Sequence, residues 1–476
     1  IFDHNLLFLY IQQVNVAKKC ITNDFVSPSL FTYSNLVEIT IPKSVQKIPP
    51  HLFEHCHFMK KVQFEKGSIL NEIGEYAFSD TSIEKVDLPD TVQIIKKSAF
   101  SYNLKLKEVS FQGEIIEEET FFETGLQIFK LSNNTQIIGS NAFQYCRFLK
   151  TFEIDIDKSK LSEIGPFAFY ETSITEINIP PDIKVIQNSV FNGCKYLKRV
   201  NISNKSKLTE IKEHSFSGNL LLETINIPKS ISKLSFKAFI NTPSLIKIMN
   251  ESNTQFKVKS KKEVYIEDNS LIFVPRNLKE FEVNNNCSII HSGSFCGPNL
   301  EKVSFQDESL TIIEESGFAH SKSLKSIEFP KSIKHIGKDA FIECTNLETV
   351  LFDSNCKLKM IPKFCFAFSG LKNIVLPRFV EIIDQSSFYF CEHLKNIDLY
   401  DTNISFIGES AFSGSGIENI RFPPTIQFIS NHSFEETKML TIVDFSSCIK
   451  VENYYNKSIK NVHELILEIK KNKNKM

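Results

Sequence analysis

Apolar residues recur along this chain in one register. Residues 83–100 read IEKVDLPDTVQIIKKSAF, and residues 174–191 read ITEINIPPDIKVIQNSVF. LKSIEFPKSIKHIGKDAF (324–341) and IENIRFPPTIQFISNHSF (417–434) follow the same template. Position by position it is L-x-x-I-x-I-P-x-[ST]-[IV]-x-x-I-x-x-x-[AS]-F. Two variable residues, a small residue and two or three more then lead to the next Leu. L-x-x-I-x-I ends in strict alternation, which predicts a short strand with one buried face. Proline follows directly at Pro42, Pro89, Pro180, Pro228, Pro330, Pro377 and Pro423. Lacking an N–H for a ladder, it stops the strand. V-x-x-I-x-x-x-A-F returns Ile and Phe to the inside after a turn.

The closing Phe can be followed from Phe31, Phe53 and Phe78 to Phe239, and again from Phe295 to Phe434. That makes seventeen units, spaced 21 to 26 residues apart except for one gap. One unit cannot bury its own apolar side, whereas stacked units bury a continuous core. The recurring Phe then forms a stacked spine, which uses much of the chain's 43 Phe.

Period and pattern resemble a leucine-rich repeat. The Pro after the strand and the recurrent A-F-x-x-[CTNS] resemble, more closely, the BspA-like leucine-rich repeats over roughly residues 26–445. The resemblance implies a leucine-rich repeat solenoid of the α/β repeat class, built mostly of short parallel strands with turns and short helical segments. It also implies a non-enzymatic surface antigen or adhesion protein, since that family occurs on bacterial and protist cell surfaces. The usual Asn slot holds Ser44, Thr91, Asp182, Ser230 and Thr425, with one Asn at Asn134. A short polar side chain there is expected to bond the turn backbone.

The pattern divides the chain into an N-terminal cap (1–25), a first array (26–250), an irregular hairpin-like insert (251–277), a second array (278–449) and a capping helix with a basic tail (450–476). FKV, VYI and LIFV supply the strand-like pieces of the insert. Ile459, Val462, Leu465, Ile466 and Ile469 fall at helical spacing.

Charge changes this picture little. With 55 basic and 56 acidic residues the formal net charge is −1, so nothing global points to nucleic acid or an anionic membrane. No apolar run approaches the roughly 20 residues of a membrane-spanning helix. A surface-exposed or secreted protein is expected, with a cytoplasmic scaffold for protein–protein interactions as the alternative.

The eleven cysteines are an odd number, and five share one slot three residues after the spine Phe: Cys56, Cys146, Cys194, Cys344 and Cys391. Other units place Thr, Ser or Asn there, so the slot is read as demanding a small side chain. Cys146 and Cys194 lie two units apart, roughly 10 Å at ~4.8 Å per strand, beyond the ~7 Å reach of a disulfide. These five are expected to be reduced and buried. Cys287 with Cys296, and Cys356 with Cys365, remain open as pairs.

Two stretches look like chemistry. HSGSFCG (291–297) sets Cys296 near His291, but Phe295 is a spine Phe and no acidic or amide orienter is identifiable. HLFEHCHF (51–58) gathers His51, His55, Cys56 and His57. There the register uses Cys56, and the histidines fall on variable turn positions. No catalytic residue, cofactor or metal site is expected. The eight N-x-[ST] triplets carry little weight in a chain this rich in Asn and Ser.

The remaining candidate is the outward strand face. The two variable residues of L-x-x-I-x-I project from it: Glu38 and Thr40, Lys85 and Asp87, and, as the candidate partner-binding set, Glu176, Asn178, Arg199, Asn201, Thr224, Asn226, Ser326, Glu328, Asn396, Asp398, Asn419 and Arg421. Seventeen strands at about 4.8 Å would give a face on the order of 80 Å long. That is the scale of a protein or polymer ligand rather than a small molecule.

Overall fold

The computed structural model describes residues 27–249, 257–258, 264–265 and 269–445. The cap expected over 1–25 and the helix and basic tail expected over 450–476 lie outside these residues, as does most of 251–268. The chain divides into two compact units, one of Ile1–Phe239 with Ile248–Asn253, the other of Ile240–Lys247 with Thr254–Met476. Each is a parallel β-solenoid.

In the first unit L-x-x-I-x-I forms strands such as Glu38–Ile41, Lys61–Phe64, Glu176–Ile179, Arg199–Ile202 and Thr224–Ile227. Burial alternates along them, so Ile39 and Ile41 are inside while Glu38 and Thr40 are outside. Neighbours pair in parallel and in register, Glu38 beside Lys61 and Glu176 beside Arg199. Opposed charges beside one another on an exposed ladder add modest support.

The strand ends where Pro stands, because Pro opens a turn. The N–H groups of Val45, Val92, Ile183 and Ile231 donate to the carbonyls of Pro42, Pro89, Pro180 and Pro228. The Ser or Thr two residues after Pro reaches the preceding coil rather than its own turn. Thr91 Oγ1 donates to Leu70 O at 2.6 Å, and Ser230 Oγ to Leu208 O at 2.7 Å.

A second ladder follows, which the sequence pattern presented only as a turn and a return to the core. Two-residue strands Lys47–Ile48, Glu72–Ile73, Ile94–Ile95, Ile115–Ile116, Ile137–Ile138 and Glu163–Ile164 form a six-stranded parallel sheet. Coils approach closely just beyond it. A Cβ on Gly139 would lie 2.5 Å from the carbonyl carbon of Glu117, so only glycine fits.

A third column of backbone hydrogen bonds runs through the A-F turn. In coil after coil, residues two before and two after the spine Phe are left-handed: His51 and His55, Tyr76 and Asp80, Asn141 and Tyr145. This alternation aims successive alternate N–H groups at the next coil. His51, Phe53 and His55 donate to the carbonyls of Glu75, Ala77 and Ser79. A left-handed non-glycine residue costs roughly 1–2 kcal/mol, which the intercoil bonds offset. Helical geometry among the described residues is confined to one 3-10 turn, Phe236–Phe239.

The spine Phe rings fill the space between the ladders. From Phe31 to Phe239, successive rings stack with centroids 5.2 to 5.7 Å apart. Burying one such ring contributes about 1.5–3 kcal/mol.

The second unit repeats this design. Its long ladder has eight parallel strands, from Glu280–Val283 through Ser326–Phe329, Asn396–Asp398 and Asn419–Arg421 to Ile442–Asp444. Its spine, Phe295 to Phe434, stacks at 4.4 to 5.6 Å. At its start Lys257–Val258 pairs antiparallel with Val264–Tyr265, which pairs antiparallel with Leu271–Phe273. That last strand joins Ile289–Ile290 in parallel and merges into the second ladder. Arg276 is buried beside this junction and donates to the carbonyls of Val274, Ser294 and Gly293. Burial draws its guanidinium down to about 10, which leaves it charged at neutral pH.

Candidate functional site

All twelve candidate face residues lie on strands of the long ladders with outward side chains, half-buried or exposed. In the first unit Glu176, Asn178, Arg199 and Asn201 form a linked patch. Arg199 donates to Glu176 Oε2 through Nε at 3.0 Å and Nη2 at 2.7 Å, and Asn201 Nδ2 donates to Glu176 Oε1 and to Asn178 Oδ1. Arg199, and after it Asn201, holds the Glu176 carboxyl below its ordinary range. Asn178 in turn donates to Ile154 O at 2.8 Å. Thr224 and Asn226 continue this face on the next strand and are exposed.

In the second unit Ser326 and Glu328 are exposed on Ser326–Phe329. Asn396 pairs in register with Asn419, and Asp398 with Arg421. Arg421 is tied down by Asp444 at 3.5 Å and by the Tyr400 ring, whose centroid is 3.7 Å from the guanidinium carbon. Eight strands at about 4.8 Å give this ladder a face roughly 34 Å long. Short polar side chains alternate on it with charged ones and with the exposed apolar Leu351, Val375 and Ile442.

The turn chemistry differs in detail from the expectations. The five cysteines of the shared slot are buried free thiols, as are Cys287, Cys296, Cys356 and Cys365. In the cysteine coils the slot residue also serves as a hydrogen-bond donor. Cys194 Sγ donates to Phe169 O at 3.1 Å and Cys391 Sγ to Phe366 O at 3.0 Å, in each case the spine Phe of the preceding coil. Burial, only partly offset by Thr172 beside it, pushes the Cys194 thiol up to about 12.

His291 does have an acidic neighbour, contrary to the sequence reading: its Nδ1 is 3.2 Å from Glu314 Oε2. Glu314 sits in the following coil, and only the coil stacking brings it there. Cys296 gains nothing from this pair. Its Sγ donates to Ser316 O at 3.1 Å, and burial raises its thiol.

At HLFEHCHF the register accounts for Cys56, whose Sγ donates to Phe31 O at 3.0 Å. The histidines are more than variable turn residues, because the next coil supplies Asp80. His55 Nδ1 lies 2.9 Å and His57 Nδ1 3.6 Å from Asp80 Oδ2. Ligand atoms of these three residues lie within 4.8 Å of one another. Their signal was available in the register: Asp80 stands two residues after Phe78, the slot His55 holds after Phe53.

The sequence matches the BspA type leucine rich repeat region, in six copies, over residues 24–150, 114–246, 265–372 and 359–474. No curated protein matches the chain. Its fold is similar to that of a leucine rich cell surface protein from Faecalibacterium prausnitzii, 22% identical, with 82% of this chain and 85% of that one aligned and a TM-score of 0.52. A leucine-rich repeat protein from Bacteroides ovatus aligns at 20% identity over 88% of this chain and 86% of its own, with a TM-score of 0.39. The pneumococcal vaccine antigen PcpA aligns at 18% identity over 90% and 76%, with a TM-score of 0.34. No helix among the described residues is long and apolar enough to cross a membrane. With the coil geometry and the repeat match agreeing along most of its length, this chain belongs to the BspA-type leucine-rich repeat family.

Proposed function

We propose that this chain is a non-enzymatic recognition or adhesion protein, displayed at a cell surface or secreted, that binds a protein or polymer along its long-ladder strand face. The observation that carries the proposal is the face itself: in-register parallel strands present outward rows of polar and charged side chains, with exposed apolar Leu351, Val375 and Ile442 among them. Thr224, Asn226, Ser326 and Glu328 are exposed on it and make no side-chain hydrogen bond among the described residues, so their donors and acceptors are available to a partner. Solenoids use such extended faces for recognition, with the energy concentrated in few residues. The family and the cell-surface neighbour of similar fold support the surface location.

The free buried thiols favour a second reading, an intracellular scaffold that uses the same face. Protease shaving of intact cells separates the two: loss of the protein from the cells supports surface display, and its full retention with controls cleaved supports the scaffold. Recognition itself is tested by a Thr224→Arg, Asn226→Arg, Ser326→Arg, Glu328→Arg variant with parental circular dichroism. It is expected to lose cell or matrix adherence that the parent shows; unchanged adherence would argue against the strand face.

A further inference from the structure

We propose that the turn column of the second and third coils carries a binding site for a divalent metal ion of zinc chemistry, held by His55, His57 and Asp80. Coil stacking builds the site. The His55 N–H donates to Ser79 O at 2.9 Å, and both His55 and Asp80 are left-handed, with φ of 57° and 53°. Their side chains therefore leave the turn side by side. His57 follows His55 around the same turn, its N–H bonded to His55 O at 2.9 Å and its own carbonyl accepting from Ser82 Oγ at 2.6 Å.

The donor set is two imidazoles and one carboxylate, which zinc favours where three protein ligands leave a fourth position for water or a partner's group. A tetrahedral ion with bonds of about 2.0–2.1 Å separates its ligand atoms by roughly 3.4 Å. Here the His55 and His57 nitrogens stand 2.9 and 3.6 Å from the shared Asp80 oxygen, and all three ligand atoms lie within 4.8 Å of one another, so binding requires the two imidazoles to close toward the tetrahedral spacing. Side-chain exposures of 30%, 55% and 38% keep the site open to solvent.

Two neighbours bear on the His55 ring. The His55 ring stacks on Tyr33 at 4.5 Å with 17° between planes, which fixes its direction. Its other nitrogen, Nε2, faces Glu54 Oε1 at 3.7 Å. A carboxylate on the far nitrogen is the usual orienting partner of a ligating imidazole. Among the described residues no other group of three gathers in this way. His320 Nδ1 lies 3.1 Å from Glu343 Oε2, but Lys322 occupies the position that His57 holds here. An ion at the first site would clamp two coils and present its open position beside the turn.

The test is calorimetric titration of chelator-treated, untagged protein with zinc chloride, together with cobalt(II) substitution read by visible absorption. One zinc per chain in the micromolar range is expected, with cobalt bands of four-coordinate geometry. His57→Ala and Asp80→Asn are each expected to weaken binding at least tenfold while circular dichroism stays parental, and His320→Ala to leave it unchanged. If a ligand variant misfolds, saturable shifts of the His55 and His57 ring-proton signals of the parent on zinc addition serve as the readout, with no shift counting against the site. No saturable binding, equal binding by His57→Ala, or six-coordinate cobalt spectra in the parent would overturn the proposal.

Discussion

The thiol of Cys146 donates a hydrogen bond to the carbonyl oxygen of Phe121, 3.0 Å away in the preceding coil. Cys56 to Phe31, Cys194 to Phe169 and Cys344 to Phe318 repeat it, while Ser321 Oγ serves Phe295 O at 2.8 Å and Asn103 Nδ2 serves Phe78 O at 2.7 Å. In these coils a thiol, a hydroxyl or an amide supplies the donor to the preceding spine carbonyl, whereas Asn219 and Ser415 hold the same slot with no side-chain hydrogen-bond partner among the described residues. Cys146→Ala leaves the Phe121 carbonyl unpaired and is expected to cost about 1–3 kcal/mol. Cys146→Ser keeps the donor and is expected to cost less. Urea midpoints of the two variants check the order; equal losses would reduce the slot to a size requirement.

The same burial governs thiol chemistry. Desolvation pushes Cys146 up to about 12, ahead of the opposing bond from Thr124. An unfolded thiol ionises near ~8.5. The native state thus holds this proton where the unfolded state releases it, so the Cys146 contribution to stability is constant below pH ~8.5 and falls as pH rises from there toward 12. Native protein is expected to resist iodoacetamide at pH 8 at all five slot cysteines, and to be alkylated there in guanidinium. Mass spectrometry of the labelled peptides reads both outcomes.

How much of this was legible in the sequence depended on whether residue type carried the information. The spine Phe, the strand with one buried face and the Pro stop were read directly, because apolar identity and a missing N–H are written in the residues. The third hydrogen-bond column was not, because its left-handed positions hold His51, Tyr76, Asn141 and Phe167 alike. Only the glycines in those slots, such as Gly193 and Gly414, hinted at it. Cross-coil partners escaped for a related reason. Glu314 beside His291 and Asp80 beside His55 are neighbours only once units are stacked in register. The strand-face residues could be placed from the sequence, but outward direction says nothing of what binds.

The left-handed column makes its own prediction. Asn141 has φ of 57°, and its N–H donates to Pro166 O at 2.9 Å. Asn141→Gly is expected to be neutral or mildly stabilising, because glycine meets no steric cost there. Asn141→Val places a β-branched residue in that conformation and is expected to lose 1–2 kcal/mol or more, roughly the left-handed penalty. Thermal melts of the pair decide it, and a Val variant as stable as the Gly variant would remove the strain argument.

Phe143 tests the spine. It stacks on Phe121 at 5.2 Å and Phe169 at 5.4 Å, and meets Phe129 and Phe152 edge-on at 4.9 and 5.1 Å. Phe143→Ala is expected to cost about 3–5 kcal/mol. Because each coil touches mainly its neighbours, the loss is expected to appear as local opening. Hydrogen exchange should speed up in residues 115–170 and stay unchanged around Phe388. A uniform rise across the chain would contradict the nearest-neighbour picture.

Docking along the long-ladder face would place a partner against Asn226 and Ser326. A photo-crosslinking amino acid placed in turn at Asn226 and Ser326 on that face, and at Lys233 and His335 on the exposed positions of the second ladder, tests it most directly. Each variant is incubated with intact cells and matrix extract, irradiated, and examined for discrete adducts by mass spectrometry. Adducts to one common partner from Asn226 or Ser326, and none from Lys233 or His335, are expected. The same adducts from the second ladder, with none from the strand face, would contradict docking there.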